Sequence, residues 1–264
     1  MSHTSQGVDP VFTPRDGTWA AQIGSWLRRT RPVIAAVAVW IVAFVVLAGV
    51  IVGLGLLLIH VLSPAGGTRF DSAVSRWFVT VRTPTLDTVT SIGSDLGSTG
   101  VVIGVAVLAT IALAIGRHWR QIGFLACALT LEFSVFLLST LLVDRMRPQV
   151  PRLDVTPPTS SYPSGHTAAA IVLYGALAIV IWSLVRSTAI RTLAWIIAVA
   201  LPIFVGVSRL YRGMHHLTDV LASVLLGCGA LLFALLATRS AVAVSEERDG
   251  TVDLERRTAS LEAA

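Results

Sequence analysis

The chain has 264 residues, of which 54% are hydrophobic and only 13% charged. Soluble globular chains carry about 25% charged residues, so this composition cannot cover a water-facing surface, and the soluble, disordered and disulfide-scaffold classes are excluded. The twenty basic residues, against fifteen acidic ones, are all arginine; with no basic stripe interleaved with aromatics, the excess points to cytoplasmic loops and anionic lipid and away from nucleic acid.

Crossing a hydrocarbon core of about 30 Å takes about 20 apolar residues in a helix that rises about 1.5 Å per residue. After an N-terminal segment, 1–31, the uncharged run from Pro32 to Thr68 is long enough for a tilted first span. It is too long for a signal-peptide core and lacks a clear cleavage site, so it is expected to stay as a span. Phe70, Ala73, Val74, Trp77, Phe78 and Val81 then repeat at i, i+3, i+4 and i+7, with Asp71, Ser75, Arg76 and Arg82 mostly opposite. That pattern predicts a short amphipathic interfacial helix on the outer leaflet, bounded by Gly66, Gly67 and Pro84.

Leu96 to Gly116 gives a second span, and Gln121 to Val143, interrupted only by Glu132, a third. Val155 to Val185 gives a fourth, beginning near His166 because prolines crowd the start of the run. Thr192 to Ser208 and Val220 to Thr238 complete the set. The expected fold is therefore all-α: an integral membrane bundle of six transmembrane helices over residues 32–238. The charged, aromatic-free tail, 239–264, is expected to be loosely ordered. Cys127 and Cys228 lie in apolar runs and read as buried packing residues. No internal repeat is visible.

Six spans put both termini on one side. Twelve arginines fall on that side, in the terminal segments and the 2–3 and 4–5 connections, against eight on the other. The positive-inside bias predicts cytoplasmic termini in a multi-pass cell-membrane protein. The 3–4 and 5–6 connections then share the extracytoplasmic face, and three polar clusters gather there: Asp144 to Pro148, Tyr162 to Thr167, and Ser208 to Asp219.

Each cluster has a chemistry. Pro163, Ser164, Gly165 and His166 stand at a helix start, where free N–H groups and the dipole favour an anion and glycine admits close approach. Arg147 and Arg209 bring guanidinium forks suited to phosphate oxygens. His215 and Asp219, at i and i+4, share a helix face, so a carboxylate is placed to hold one ring nitrogen protonated and leave the other free to attack. His166, from another helix, is placed to protonate a leaving oxygen.

Arg147-Pro148, Pro163-Ser164-Gly165-His166, and Ser208-Arg209 followed by His215 and Asp219 resemble the tripartite signature of the type 2 phosphatidic acid phosphatase (PAP2) superfamily, which holds membrane lipid phosphatases and soluble vanadium haloperoxidases. The resemblance covers roughly residues 132–225. It implies a metal-independent, cofactor-free phosphatase with His215 as nucleophile, Asp219 as its orienting partner and His166 as general acid. Arg147, Ser164, Gly165 and Arg209 would bind phosphate. One position departs: the lysine that usually opens the first motif is Thr140 here, and Arg145 is the candidate to restore its charge.

Other polar residues carry plainer readings. His60 and His118 are expected to be structural, and His216 to yield the nucleophile's place to His215 by spacing. Glu132, about 18 Å deep by helical rise, is expected to make a helix–helix hydrogen bond in preference to a role in substrate access. Arg152 and Asp154 either touch a headgroup or solvate their loop. A zinc site built from His166, His215, His216 and Asp219 is disfavoured by the flanking arginines. The expected function is hydrolysis of the terminal phosphate of a lipid phosphate or polyprenyl diphosphate, the carrier lipid being preferred, through a phosphohistidine. A transporter or a non-catalytic binder of phosphorylated lipid is the alternative.

Overall fold

Apolar runs bounded by proline, glycine and arginine become long helices. A computed structural model describes residues 11–156 and 158–262, with side chains as far as Arg248, and these hold nine α-helices and no strand. They are α1 (Trp19–Trp26), α2 (Pro32–Leu57, continued by a π-helical turn Leu58–Leu62), α3 (Arg69–Thr80), α4 (Pro84–Asp95), α5 (Thr99–Ile115), α6 (Trp119–Leu142), α7 (Gly165–Leu184), α8 (Thr188–Tyr211) and α9 (Leu217–Glu262). Proline opens α2 and α4, where its missing N–H is not needed. Thr83 caps α4 by accepting from the Leu86 amide, and Ser98 caps α5 by accepting from Val101.

Five helices are long and apolar enough to cross a membrane, six if α4 and α5, bent by 46°, count as one span. The expected second span, Leu96 to Gly116, is thus shifted. Alone, α5 has 17 residues and rises only about 26 Å, so it reaches a span's length together with α4. The bend falls where Gly97 passes over the start of α7; a Cβ there would lie 2.7 Å from the His166 carbonyl oxygen.

The core lies where α9 meets α2, α6 and α7, through Ile51, Leu131, Val135, Val172 and Leu226. Small residues bring helices close: a Cβ on Gly227 would lie 2.7 Å from Ile171. On the outside, α2 exposes Val33, Ile34, Val37 and Ile41, as a lipid-facing helix would.

Helix α3 covers the stretch expected to be helical, and its polar face points into the protein: Asp71 and Ser75 are buried, while Phe70 and Trp77 are 65% and 57% exposed. Two expectations change. The tail is not loose, because α9 continues through it and the N-terminal segment covers its first turns. Ser240, Val242 and Val244 are buried; Gly24 of α1 sits so close that a Cβ would meet Ala243 at 2.4 Å; and Arg239 Nε donates to the Val11 carbonyl at 2.7 Å. Finally, Cys127 is half-buried and Cys228 is exposed, so neither is the fully buried packing residue expected.

Candidate active site

The α6–α7 and α8–α9 connections meet at one end of the bundle, around a cavity of about 590 Å³. Its polar end is lined by Arg147, Ser160, Gly165, His166, Arg209 and His215. Its other end is apolar, between α5 and α6, with Val102, Ile103, Leu129, Phe133 and Phe136. Three distant sequence clusters thus share a single space.

The α8–α9 turn explains the spacing that presents His215. Helix α8 ends in a Schellman arrangement: Gly213, at φ +73°, donates to Leu210, and Met214 donates back to Arg209, both at 3.0 Å. Arg209 therefore lies on the last turn of α8, and the next residue after Met214 is delivered beside it. His215 is 4% exposed. Its Nδ1 lies 2.7 Å from the carbonyl oxygen of Ser161, which can only accept, so Nδ1 carries the proton and Nε2 keeps a free lone pair. Burial lowers the His215 pKa below its usual 6.5, and Arg209 and Arg147 act in the same direction against Asp219.

Asp219 stands 3.8 Å from Nδ1, beyond hydrogen-bond distance. Its Oδ1 accepts from Arg145 Nη1, and its Oδ2 accepts from Ser161 Oγ and, at 2.8 Å, from the His216 amide. That last bond is the reciprocal half of a capping box at the start of α9. Asp219 thus reaches the imidazole through Ser161, which binds the carboxylate with its hydroxyl and the histidine with its carbonyl. Ser161, fully buried and three residues before Ser164, was not singled out from the sequence; a serine whose function lies in its main chain leaves no signal there.

The start of helix α7 is the candidate anion site. Ser164 makes no side-chain cap; its hydroxyl pairs with that of Thr167 at 3.0 Å, and its amide donates to the Asp219 carbonyl. The first intrahelical bond runs from Ala168 to Ser164, leaving the Gly165, His166 and Thr167 amides without an intrahelical acceptor. Gly165 is required here, since a Cβ would lie 2.8 Å from the Phe136 ring.

The two motif arginines are each fixed along one edge. Arg147 Nη1 donates to the Met214 carbonyl at 2.8 Å and Nη2 to that of Ser160 at 3.3 Å. Arg209 Nη1 donates to Ser94 Oγ at 2.7 Å and to Asp154 Oδ2 at 2.9 Å. In both, Nε is a buried donor with no acceptor among the described residues. Such orphan donors suit the oxygens of an incoming anion.

The remaining candidates separate. Arg145 does not line this cavity; its guanidinium is committed to Asp219, to Thr218 Oγ1 at 2.7 Å and to Asp71 Oδ2 at 2.7 Å. Asp71, 2% exposed, also accepts from the Thr218 amide at 3.0 Å, so a helix 147 residues earlier caps α9. Arg145, Asp71 and His216 line a second, polar cavity of about 350 Å³, which shares Arg147 with the first. The Thr140 hydroxyl donates to the Leu137 carbonyl at 2.8 Å within its own helix. Asp154 neither solvates its loop nor stands free: it bridges Arg209 and Arg212, at 2.9 and 2.6 Å. Burial raises its pKa, but the Arg212 hydrogen bond and the two guanidinium charges outweigh that and hold it below the usual carboxylate value. Arg152 is exposed and donates to Thr156.

Glu132 lies within the apolar half of the first cavity, 4% exposed, and makes none of the hydrogen bonds or ion pairs among the described residues. The helix–helix bond expected of it does not form. Among the described residues no three His, Cys, Asp or Glu side chains gather as a metal site would require.

Comparison with known proteins gives concordant findings. The family model described as the PAP2 superfamily matches residues 124–242. Phosphatidylglycerophosphatase B of Bacillus subtilis (strain 168) is 30% identical over 171 residues, which are 63% of this chain and 81% of that protein. The crystal structure of a transmembrane PAP2 type phosphatidylglycerolphosphate phosphatase from Bacillus subtilis superposes with a TM-score of 0.59 at 25% identity, covering 76% of this chain and 93% of that one.

Proposed function

The chain is a multi-pass membrane member of the PAP2 superfamily, and from that premise we propose that it hydrolyses the terminal phosphate of a membrane lipid at the extracytoplasmic face. The observation that carries this reading is the cavity itself. Two histidines from different helices, two arginines with orphan donors and a helix N-terminus occupy one end, and an apolar slot occupies the other. An amphiphile with a phosphoryl head matches both ends.

In the proposed mechanism Arg147, Arg209 and the amides of Gly165 to Thr167 hold the non-bridging oxygens and neutralise the charge that repels a nucleophile. The Nε2 lone pair of His215 forms a bond to phosphorus as the bond to the lipid oxygen breaks, and His166 gives that oxygen a proton. The Nδ1 proton stays on the Ser161 carbonyl side, and Asp219, through Ser161, sits near the charge that develops on the ring. Water then loses a proton to His166 and attacks phosphorus; the N–P bond breaks, its electrons return to Nε2, and phosphate leaves. No step needs a metal.

The phosphatidylglycerophosphatase relative of Bacillus subtilis moves the preferred substrate from the polyprenyl diphosphate expected from sequence to phosphatidylglycerophosphate. The excess of arginine on the terminal side supports cytoplasmic termini, and the outward Phe70 and Trp77 support α3 lying at the membrane interface.

The test is phosphate release by purified protein from phosphatidylglycerophosphate, phosphatidate and polyprenyl diphosphate, with and without chelator and vanadate. Release from at least one, blocked by vanadate and insensitive to chelator, is expected. His215→Ala should reduce it by about 1,000-fold or more while the protein stays folded in detergent. Binding of these lipids without release would favour the transporter or binder.

A further inference from the structure

Glu132 is the one buried ionisable group of the first cavity that the mechanism leaves unused. It is on α6, four residues before Phe136 and on the same face of that helix. The Phe136 ring touches Gly165 and so marks where the phosphate end begins. Four residues, about 6 Å of helical rise, therefore separate the Glu132 backbone from that of Phe136. The cavity that Glu132 lines is also bordered by the apolar Leu129, Phe133, Ile103 and Ala106. The hydroxyl of Thr130, also on the lining, is spent on the Ala126 carbonyl at 2.7 Å.

We infer that the Glu132 carboxyl recognises the ester carbonyl of an acyl-linked lipid phosphate while the phosphoryl group occupies the His166–His215 end of the same cavity. The inference rests on the proposed phosphatase function and names the feature of the lipid that this site selects. In a glycerophospholipid five bonds join phosphorus to the sn-2 ester carbonyl carbon, a reach of about 6 Å at ordinary bond lengths of about 1.5 Å. That reach agrees with the rise from Glu132 to Phe136. A carboxylate at this depth with no cation beside it is costly, so the group meets the lipid as the neutral acid and donates a hydrogen bond to the carbonyl. A polyprenyl or ether-linked chain presents no carbonyl at that place and leaves the buried carboxyl unsatisfied. Sites built to hydrogen-bond a substrate group discriminate against analogues lacking it for this reason.

The experiment compares kcat/KM of the wild type, Glu132→Leu and Glu132→Gln on dioleoyl phosphatidylglycerophosphate, its dialkyl-ether analogue and polyprenyl diphosphate, in one detergent. The wild type should favour the ester over the ether by about tenfold. Glu132→Leu should lose about tenfold on the ester and stay within about twofold on the ether, which shows that the variant is folded. Glu132→Gln keeps an N–H donor and should keep most of the preference. Equal wild-type turnover of ester and ether overturns the inference, as does an equal loss on both in Glu132→Leu; in either case the phosphatase reading stands. No release from any of the three lipids by folded wild type overturns that reading and this inference together.

Discussion

His215 depends on two main-chain events that no side chain advertises: the end of α8 at Gly213, and the carbonyl of Ser161. The motif residues were legible because their spacing follows from helix geometry; Arg209, His215 and Asp219 span a Schellman ending and a capping box whose lengths are fixed. Ser161 and the double hold of Arg145 were not legible, since both arise from contacts between residues 54 to 74 apart in sequence. In the proposed mechanism His215 attacks as a neutral imidazole. Burial holds the His215 pKa below 6.5, so the limb on which kcat/KM rises with pH should lie under 6.5, and a falling limb should appear where His166 loses the proton it donates. The negative charge of Asp219 favours the imidazolium and raises the His215 pKa, so Asp219→Asn should move the rising limb to lower pH, readable in the pH–rate profile. A rising limb that moved upward would remove Asp219 from the imidazole's surroundings.

At the scale of elements, the start of α9 is held by a helix far away in the chain. Asp71 of α3 accepts from the Thr218 amide and pairs with Arg145, which in turn holds Asp219. Breaking a buried pair by removing one partner costs about 3–5 kcal/mol, because the other charge is left without compensation. Asp71→Ala should therefore lower the detergent-solubilised Tm markedly, and Asp71→Asn, which keeps a hydrogen-bonding group in place, should lower it less. The periodicity of 70–81 was enough to predict α3 and to separate its two faces. It could not say which face packs, because apolar side chains turn outward when the surrounding solvent is lipid. The α9 extension was missed for a related reason: its charged composition reads as solvated, and the cover it receives from α1 and Val11 lies more than 200 residues away.

For the whole molecule, hydropathy located the spans and parity placed the 3–4 and 5–6 connections at one end, where the structure joins them. The α4–α5 bend was not drawn from the sequence, although Gly97 and the Ser98 cap mark it locally; the close passage of Gly97 over His166 appears only in the fold. The sidedness proposed from the arginine distribution can be measured in intact cells. In a variant lacking Cys127 and Cys228, a cysteine at Val155, which is 94% exposed, should react with an impermeant maleimide from outside. A cysteine at Arg117, in the opposite connection, should react only after permeabilisation. The reverse pattern would put the site on the cytoplasmic side.

The clasp between Asp154 and Arg209 bears on what happens after the chemistry. A phosphoryl oxygen that binds the free Nε of Arg209 shares that guanidinium with a carboxylate already on Nη1, tethered by Arg212 and held ionised by its neighbours, and is repelled by it. In the proposed reaction a whole lipid, anchored by its chain, tolerates that repulsion better than free phosphate, so Asp154 favours the departure of product. Asp154→Asn should make inorganic phosphate a stronger inhibitor by about tenfold, with a smaller change in the KM for lipid.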